Sequence, residues 1–211
     1  MKRRKINKAL SGFSIVELLI TMTIMLVVLG LAASLFSQSF SKRQRESSRT
    51  DALTSAQAAL NVISREIANS GYGLTNNGIV LADSNNRKLH FLSNTKNNNG
   101  ITTDSSENIT YFFDSVSESI LRYDANANGV NSPETSIIIN RISSVEFQYF
   151  DYSGSSSAIP LPANTPTINT ARIRVTVRVL MENVQGQTSN QAVVLSSDVT
   201  LRNSNYMLRQ Y

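Results

Sequence analysis

The pattern of hydrophobic and polar positions begins with one membrane-length apolar stretch. Residues 13–36 carry a single charge, Glu17, among mostly aliphatic side chains. As an α-helix, these 24 residues extend about 36 Å, more than the roughly 30 Å hydrocarbon core of a bilayer. Five basic residues precede the stretch. They predict a single span, with residues 1–12 in the cytoplasm and the rest of the chain across the membrane.

After residue 36 the pattern becomes that of an amphipathic helix. Apolar side chains recur at spacings of three and four residues, which places them on one helical face. They are Leu53, Ala56, Leu60, Ile63 and Ile67. No proline interrupts the chain before residue 133, and the glycines of NSGYG (69–73) are helix stop signals. The pattern predicts one helix over residues 13–69, whose second half packs on a globular domain.

From residue 74 onward the period changes from helical to alternating, which is typical of strands. In ARIRVTVRVL, Ile173 and three valines alternate with arginines and a threonine, so one face is buried. Polar loops rich in Asn, Ser and Gly separate the stretches. A long helix followed by an antiparallel sheet predicts the α+β class. The predicted strands are residues 88–93, 108–114, 119–125, 135–142, 143–153, 171–180 and 191–203.

Glu17 is the unusual position in the apolar stretch, because a carboxylate in hydrocarbon is costly and by default marks a function. The basic leader, Gly12, Phe13 and the run FSIVELLITMTIMLVV resemble the N-terminal signal of type IV pilins and of type II secretion pseudopilins. In that family a prepilin peptidase cleaves after the glycine and methylates the new terminal residue. The resemblance implies cleavage between Gly12 and Phe13 and N-methylation of Phe13. An ordinary secretory signal has a shorter apolar region that is followed by a small-residue cleavage site. Here the apolar stretch is longer, and the small residues Ser11 and Gly12 precede it, so the pattern does not fit such a signal.

The same resemblance gives Glu17 a role in subunit docking. After cleavage, the amine of Phe13 would lie four residues before Glu17, on the same helical face. In the family this carboxylate pairs with the terminal amine of a neighbouring subunit. A buried charge pair of this kind can set registry even when it adds little stability. The alternative is that Glu17 merely lies at the polar surface of the membrane.

The end of the predicted helix carries a second resemblance. ALNVISREIANSGYG is similar to the pattern of PilW-type minor pilins and J-type pseudopilins, with Arg65 and Glu66 as the Arg-acidic pair. The alternative is a generic amphipathic helix with a solvated charge pair. The resemblance implies a structural minor pilin in a tip or initiation complex of a type IV pilus. The alternatives from the same residues are a J-type pseudopilin of a type II secretion system and a pilus-tip adhesin or ligand-binding module.

These hypotheses imply partners, a location and a domain plan. The partners are prepilin peptidase, other minor and major pilins through the N-terminal helix, and the membrane. The chain would begin as a single-pass precursor in the bacterial inner membrane and end in a pilus at the cell surface. The predicted segments are a leader (1–12), a transmembrane or filament-core helix (13–36), its amphipathic continuation (37–70) and a globular β-rich head (71–211).

Charge and composition narrow the chemistry. Five of the 20 basic residues lie within the first 12, so cleavage would leave 15 basic against 15 acidic residues. A net charge near zero argues against nucleic acid as a partner. The chain has no cysteine and one histidine, His90, and it contains no nucleophile elbow or phosphate-binding glycine motif. We therefore expect no enzyme and no required cofactor. His90 is interpreted as a structural strand residue, and the arginines of residues 171–180 as a solvated face.

The one metal-like motif is DANANGVNSPET, residues 124–135, which begins like a calcium loop. Some pseudopilins bind calcium in a loop, which favours this hypothesis. With few anionic ligands, such a site would bind Ca²⁺ weakly. The alternative is an ordinary turn, because Asp, Asn and Gly are also the common turn residues. The candidate ligands are Asp124, Asn126, Asn128, Val130 through its carbonyl, and Glu134.

Overall fold

The structure is a computed structural model, and it describes residues 12–97, 99–152, 161–180, 192–204 and 207. Within these residues, one α-helix, α1 (Ile15–Ala68), precedes eight strands. The α+β class is confirmed, and the arrangement matches the fold that the resemblance implies. The strands are β1 (Lys88–Leu92), β2 (Asn108–Asp114), β3 (Ser119–Asp124), β4 (Glu134–Ile139), β5 (Ile142–Asp151), β6 (Pro162–Ala163), β7 (Thr170–Leu180) and β8 (Ala192–Thr200).

The strands form two antiparallel sheets rather than the single sheet that the alternation suggested. The first sheet has the order β1-β2-β3-β4 and the second the order β6-β5-β7-β8. The chain passes from one to the other through residues 140 and 141, which separate β4 from β5. Arg141 adopts a positive φ of 60° there. Periodicity indicates which face of a strand is buried but not which strand it pairs with. The division of the strands between two sheets could therefore not be predicted from the sequence pattern.

The chain divides into two compact units within α1, the first ending at Glu46 and the second beginning at Ser47. In the first unit, every residue from 12 to 40 is exposed. The helix there is long and apolar enough to span a membrane. An apolar surface of this extent is rarely left in water by soluble proteins.

In the second unit, α1 and the inner faces of both sheets share one core. The helix contributes a stripe with the predicted spacing, although Leu53 is only half-buried and two alanines join the stripe. The small side chains at Ala52 and Ala59 add to the face that the aliphatic residues bury. The sheets contribute Phe91 and Tyr111 from the first, and Phe147 from the second.

The helix ends one residue before the predicted boundary, and two glycines shape the chain that follows. Gly71, at φ 76°, donates its amide to the carbonyl of Leu92 at the end of β1, over 2.8 Å. Gly78, at φ 73°, lies so close that an added Cβ would stand 2.2 Å from the nitrogen of Gly71. The turn therefore fastens the helix end to the edge of the first sheet.

Candidate functional site

The first candidate site is the N-terminal end of α1, where the residues of the signal resemblance lie. Gly12 and Phe13 precede the helix, outside regular secondary structure, and Phe13 is 83% exposed. Glu17 lies in the first helical turn and is exposed. A carboxylate in that turn is favoured by the partial positive charge of the helix N-terminus. The structure thus places all three residues at the accessible N-terminal end of α1.

Glu17 also has a local partner that pattern reasoning missed. Its Oε2 accepts a hydrogen bond from the amide of Ser14, over 3.2 Å. Ser14 Oγ in turn accepts from the amide of Val16, over 3.3 Å. The Glu17 bond is one half of a capping box, whereas Ser14 Oγ bonds the amide of Val16 and not that of Glu17. The signal was visible in the sequence as S-x-x-E before an apolar run, so Glu17 has a helix-starting role beside the predicted docking role.

The second resemblance concerned Arg65 and Glu66, and the structure separates their environments. Arg65 is exposed at the end of α1, whereas Glu66 is half-buried against the first sheet. Its Oε2 accepts hydrogen bonds from the Tyr111 hydroxyl at 2.7 Å and from Arg122 Nε at 2.9 Å. Glu66 therefore joins the helix to the sheet instead of forming a solvated pair.

The predicted calcium residues run from the last residue of β3, Asp124, through the β3–β4 loop to the first residue of β4, Glu134. Asp124 is buried, and its Oδ1 and Oδ2 accept main-chain amides from Asn126 and Ser106, at 3.1 and 2.7 Å. Arg122 Nη1 also lies 3.5 Å from Asp124 Oδ2. The carboxylate that a calcium ion would need is thus already bonded and has a guanidinium beside it.

The remaining calcium candidates also bond within the loop. Asn126 Oδ1 accepts from the amide of Asn131 over 3.0 Å, and Asn128 offers its nitrogen to Glu134 over 3.4 Å. Val130 is 64% exposed. Across the described residues, no group of three or more His, Asp or Glu side chains could hold a metal ion. As folded, these groups form a hydrogen-bonded turn, and the calcium site stays a prediction.

His90 lies on β1, with its side chain outside the core. Its Nδ1 contacts Asp83 Oδ2 at 2.9 Å and its Nε2 contacts Asn108 Oδ1 at 2.8 Å. Asp83 belongs to a short 3₁₀ turn, Leu81–Asp83, that the sequence pattern did not indicate. The Lys88 ammonium beside Asp83, together with His90, holds the pKa of this carboxyl below its ordinary value. His90 is therefore part of a polar cluster.

The arginines of β7 lie on the outer face of the second sheet, as the alternation predicted. Arg174 donates two hydrogen bonds to Asp198 of β8, at 2.7 and 3.0 Å. Both Arg172 and Arg174 also cover the ring of Phe150, with guanidinium carbons 4.1 and 5.3 Å from its centroid. Phe150 is buried for this reason, although its register places it on the outer face. Arg172 and Arg174 are thus engaged within the protein.

Neither a scan against protein-family models nor a search of curated proteins gives a match to this chain.

Proposed function

We propose that this protein is a structural subunit of the type IV pilin class, most similar to a minor pilin. A prepilin peptidase would cleave it after Gly12, and its N-terminal helix would pack among other pilins. The observation that carries the proposal is the exposed apolar helix directly behind the Gly12–Phe13 junction. Before assembly, a membrane would cover this surface, and afterwards the helices of neighbouring subunits would cover it.

Two further observations support this proposal. The second half of α1 is buried along one stripe against a β-rich head, so a single helix serves both an assembly region and a folded domain. Glu17 is the only charge in residues 13–36 and lies in the first turn, within reach of a new terminal amine. A carboxylate placed there can neutralise the amine of a neighbouring subunit as that subunit enters hydrocarbon surroundings.

The experiment that tests the proposal is mass spectrometry of the N-terminal peptide from native envelopes. A terminus at Phe13 carrying one extra methyl group is the expected result. An intact Met1 terminus in cells with active peptidase, or cleavage after the apolar stretch, would contradict it. A Gly12 substitution that blocks cleavage is the matched control, because it should leave the precursor in the membrane and out of any filament.

The pseudopilin alternative makes the same N-terminal prediction, so a second measurement is needed. Deletion of the gene should reduce surface pili and leave protein secretion intact if the chain is a minor pilin. Loss of exported hydrolases with normal piliation would instead assign it to a type II secretion pseudopilus.

A further inference from the structure

A groove of about 370 Å³ lies on the outer face of the first sheet, away from the core. This volume is at the lower end of the range for small-molecule sites, which is roughly 300–1,000 Å³. One side of the groove is polar, with Asp83, Lys88, His90 and Asn108. The other side is aromatic. A concave site with an apolar wall and a few convergent polar groups is the usual form of a ligand site.

The strand register explains why the groove exists. His90 of β1, Thr110 of β2 and Tyr123 of β3 are direct neighbours across the sheet. Lys88 and Phe112 form the next row. Thr110 has the shortest side chain of this group and stands at its centre, where it is 5% exposed. The longer side chains around it therefore form the walls, and Thr110 forms the floor.

The polar wall offers hydrogen-bond donors in excess of acceptors. Asp83 already accepts from Lys88 Nζ at 2.5 Å through Oδ1, and its Oδ2 contacts His90 Nδ1 at 2.9 Å. Asn108 contacts His90 Nε2 through one end of its side-chain amide, and in either amide orientation it keeps at least one N–H for a ligand. Lys88 keeps two of its three ammonium protons. These groups complement a ligand that brings acceptor oxygens, foremost a carboxylate.

The opposite wall and the floor select the body of the ligand. Phe112 and Tyr123 are half-exposed aromatic side chains that can pack on the apolar face of a ring. The Thr110 and Tyr123 hydroxyls lie among them and favour a ligand that carries hydroxyl groups. An aromatic acid would supply the carboxylate but leave both hydroxyls without a partner.

We propose that this groove binds the pyranose ring of an acidic saccharide of the uronate type. Its carboxylate lies at Lys88, its hydroxyl groups lie at Asn108, and its ring face packs on Phe112 and Tyr123. The proposal does not depend on pilin-type assembly, because every residue in it belongs to the folded head.

The test is saturation-transfer NMR on the full chain in detergent micelles, with glucuronate, glucose and benzoate as probes. We expect the strongest transfer to glucuronate. Lys88→Met removes the ionic contact, so we expect about tenfold weaker glucuronate binding, as for the loss of one charge-assisted hydrogen bond, and an unchanged glucose signal. Thr110→Phe fills the floor and should abolish transfer to all three.

Thr176→Phe is the matched control, because Thr176 lies on the outer face of the second sheet opposite Ser196. It should bind glucuronate as the wild type does. Transfer to glucuronate no stronger than to glucose and benzoate, or unchanged in Thr110→Phe, would overturn the proposal. Strongest transfer to benzoate would replace the saccharide with an aromatic acid. If circular dichroism shows that Thr110→Phe does not fold, the test rests on Lys88→Met. Unchanged glucuronate binding in Lys88→Met would then overturn the proposal.

Discussion

The Glu66 carboxylate of α1 accepts a hydrogen bond from the Tyr111 hydroxyl of β2, with 2.7 Å between the two oxygens. Tyr111 is fully buried, so its hydroxyl needs a partner within the protein. Arg122 of β3 reaches the same carboxylate. One acidic side chain of the helix therefore holds two strands of the first sheet.

Alkaline unfolding should report on this relationship. Burial, and then the negative charge of Glu66, raise the pKa of Tyr111 well above its ordinary value near 10. Above that pH the unfolded chain loses the phenolic proton and the folded chain keeps it. The associated stability is complete below pH 10 and is lost as the pH rises further, by about 1.4 kcal/mol per pH unit for each such tyrosine.

Tyr111→Phe should therefore flatten the decline in the free energy of unfolding between pH 10 and 12, measured by denaturant titration. Some decline remains, because burial also raises the pKa of Tyr149. At pH 7 the same change should cost about 1–2 kcal/mol, since Glu66 loses a hydrogen bond. Tyr72→Phe, at a half-exposed site, is the control. An equal alkaline slope in Tyr111→Phe and wild type would contradict the prediction.

The two roles of Glu17 can be separated by substitution. Glu17→Gln keeps a capping-box side chain and removes the charge, whereas Ser14→Ala removes the cap acceptor and keeps the charge. If the carboxylate docks subunits, Glu17→Gln should be processed normally but excluded from filaments. Ser14→Ala should still be incorporated, with a helix cap weaker by about 1 kcal/mol. Immunoblots of sheared surface filaments and of membranes measure the incorporation and the processing of each variant. Finding Glu17→Gln in filaments would contradict the docking role and leave helix capping as the role of Glu17.

The β3–β4 loop should be held by its own hydrogen bonds. Asn126→Ala should lower the free energy of unfolding by about 1–3 kcal/mol, because the buried Asn126 side chain also donates to the Thr102 carbonyl over 3.1 Å. We expect the same melting temperature with millimolar Ca²⁺ and with a chelator. A calcium-dependent rise in the wild type that is lost in Asp124→Asn would instead support the calcium hypothesis.

Gly78 should tolerate no side chain. A Cβ there would stand 2.2 Å from the Gly71 nitrogen and 2.3 Å from the Leu92 carbonyl oxygen, at a positive φ. Gly78→Ala should cost at least about 2 kcal/mol, from backbone strain and the displaced turn. Gly100→Ala is the matched control, because it has a similar φ of 77° with open space around it. Equal losses in chemical denaturation would show that strain alone matters.

The helix and most strands of the fold were predictable from the sequence. A helix of one pattern in its first half and another in its second, and strands with one buried face, follow from local spacing alone. The boundaries of α1 and of β1, β2 and β7 lie within two residues of those predicted. The two-residue strand β6 was missed, because it is too short to show a period.

Local pattern also determined the segment on which the proposed function depends. The leader, the junction at Gly12 and Phe13, and the lone charge Glu17 are contiguous in the chain, so no folding is needed to bring them together. Tertiary structure decided what depends on distant residues. It divided the strands between two sheets, joined Glu66 to Tyr111, and brought the amide of Ser106 to Asp124. It also placed Thr110 below its neighbours to form the groove, because cross-strand register is set only when the whole sheet packs on its core.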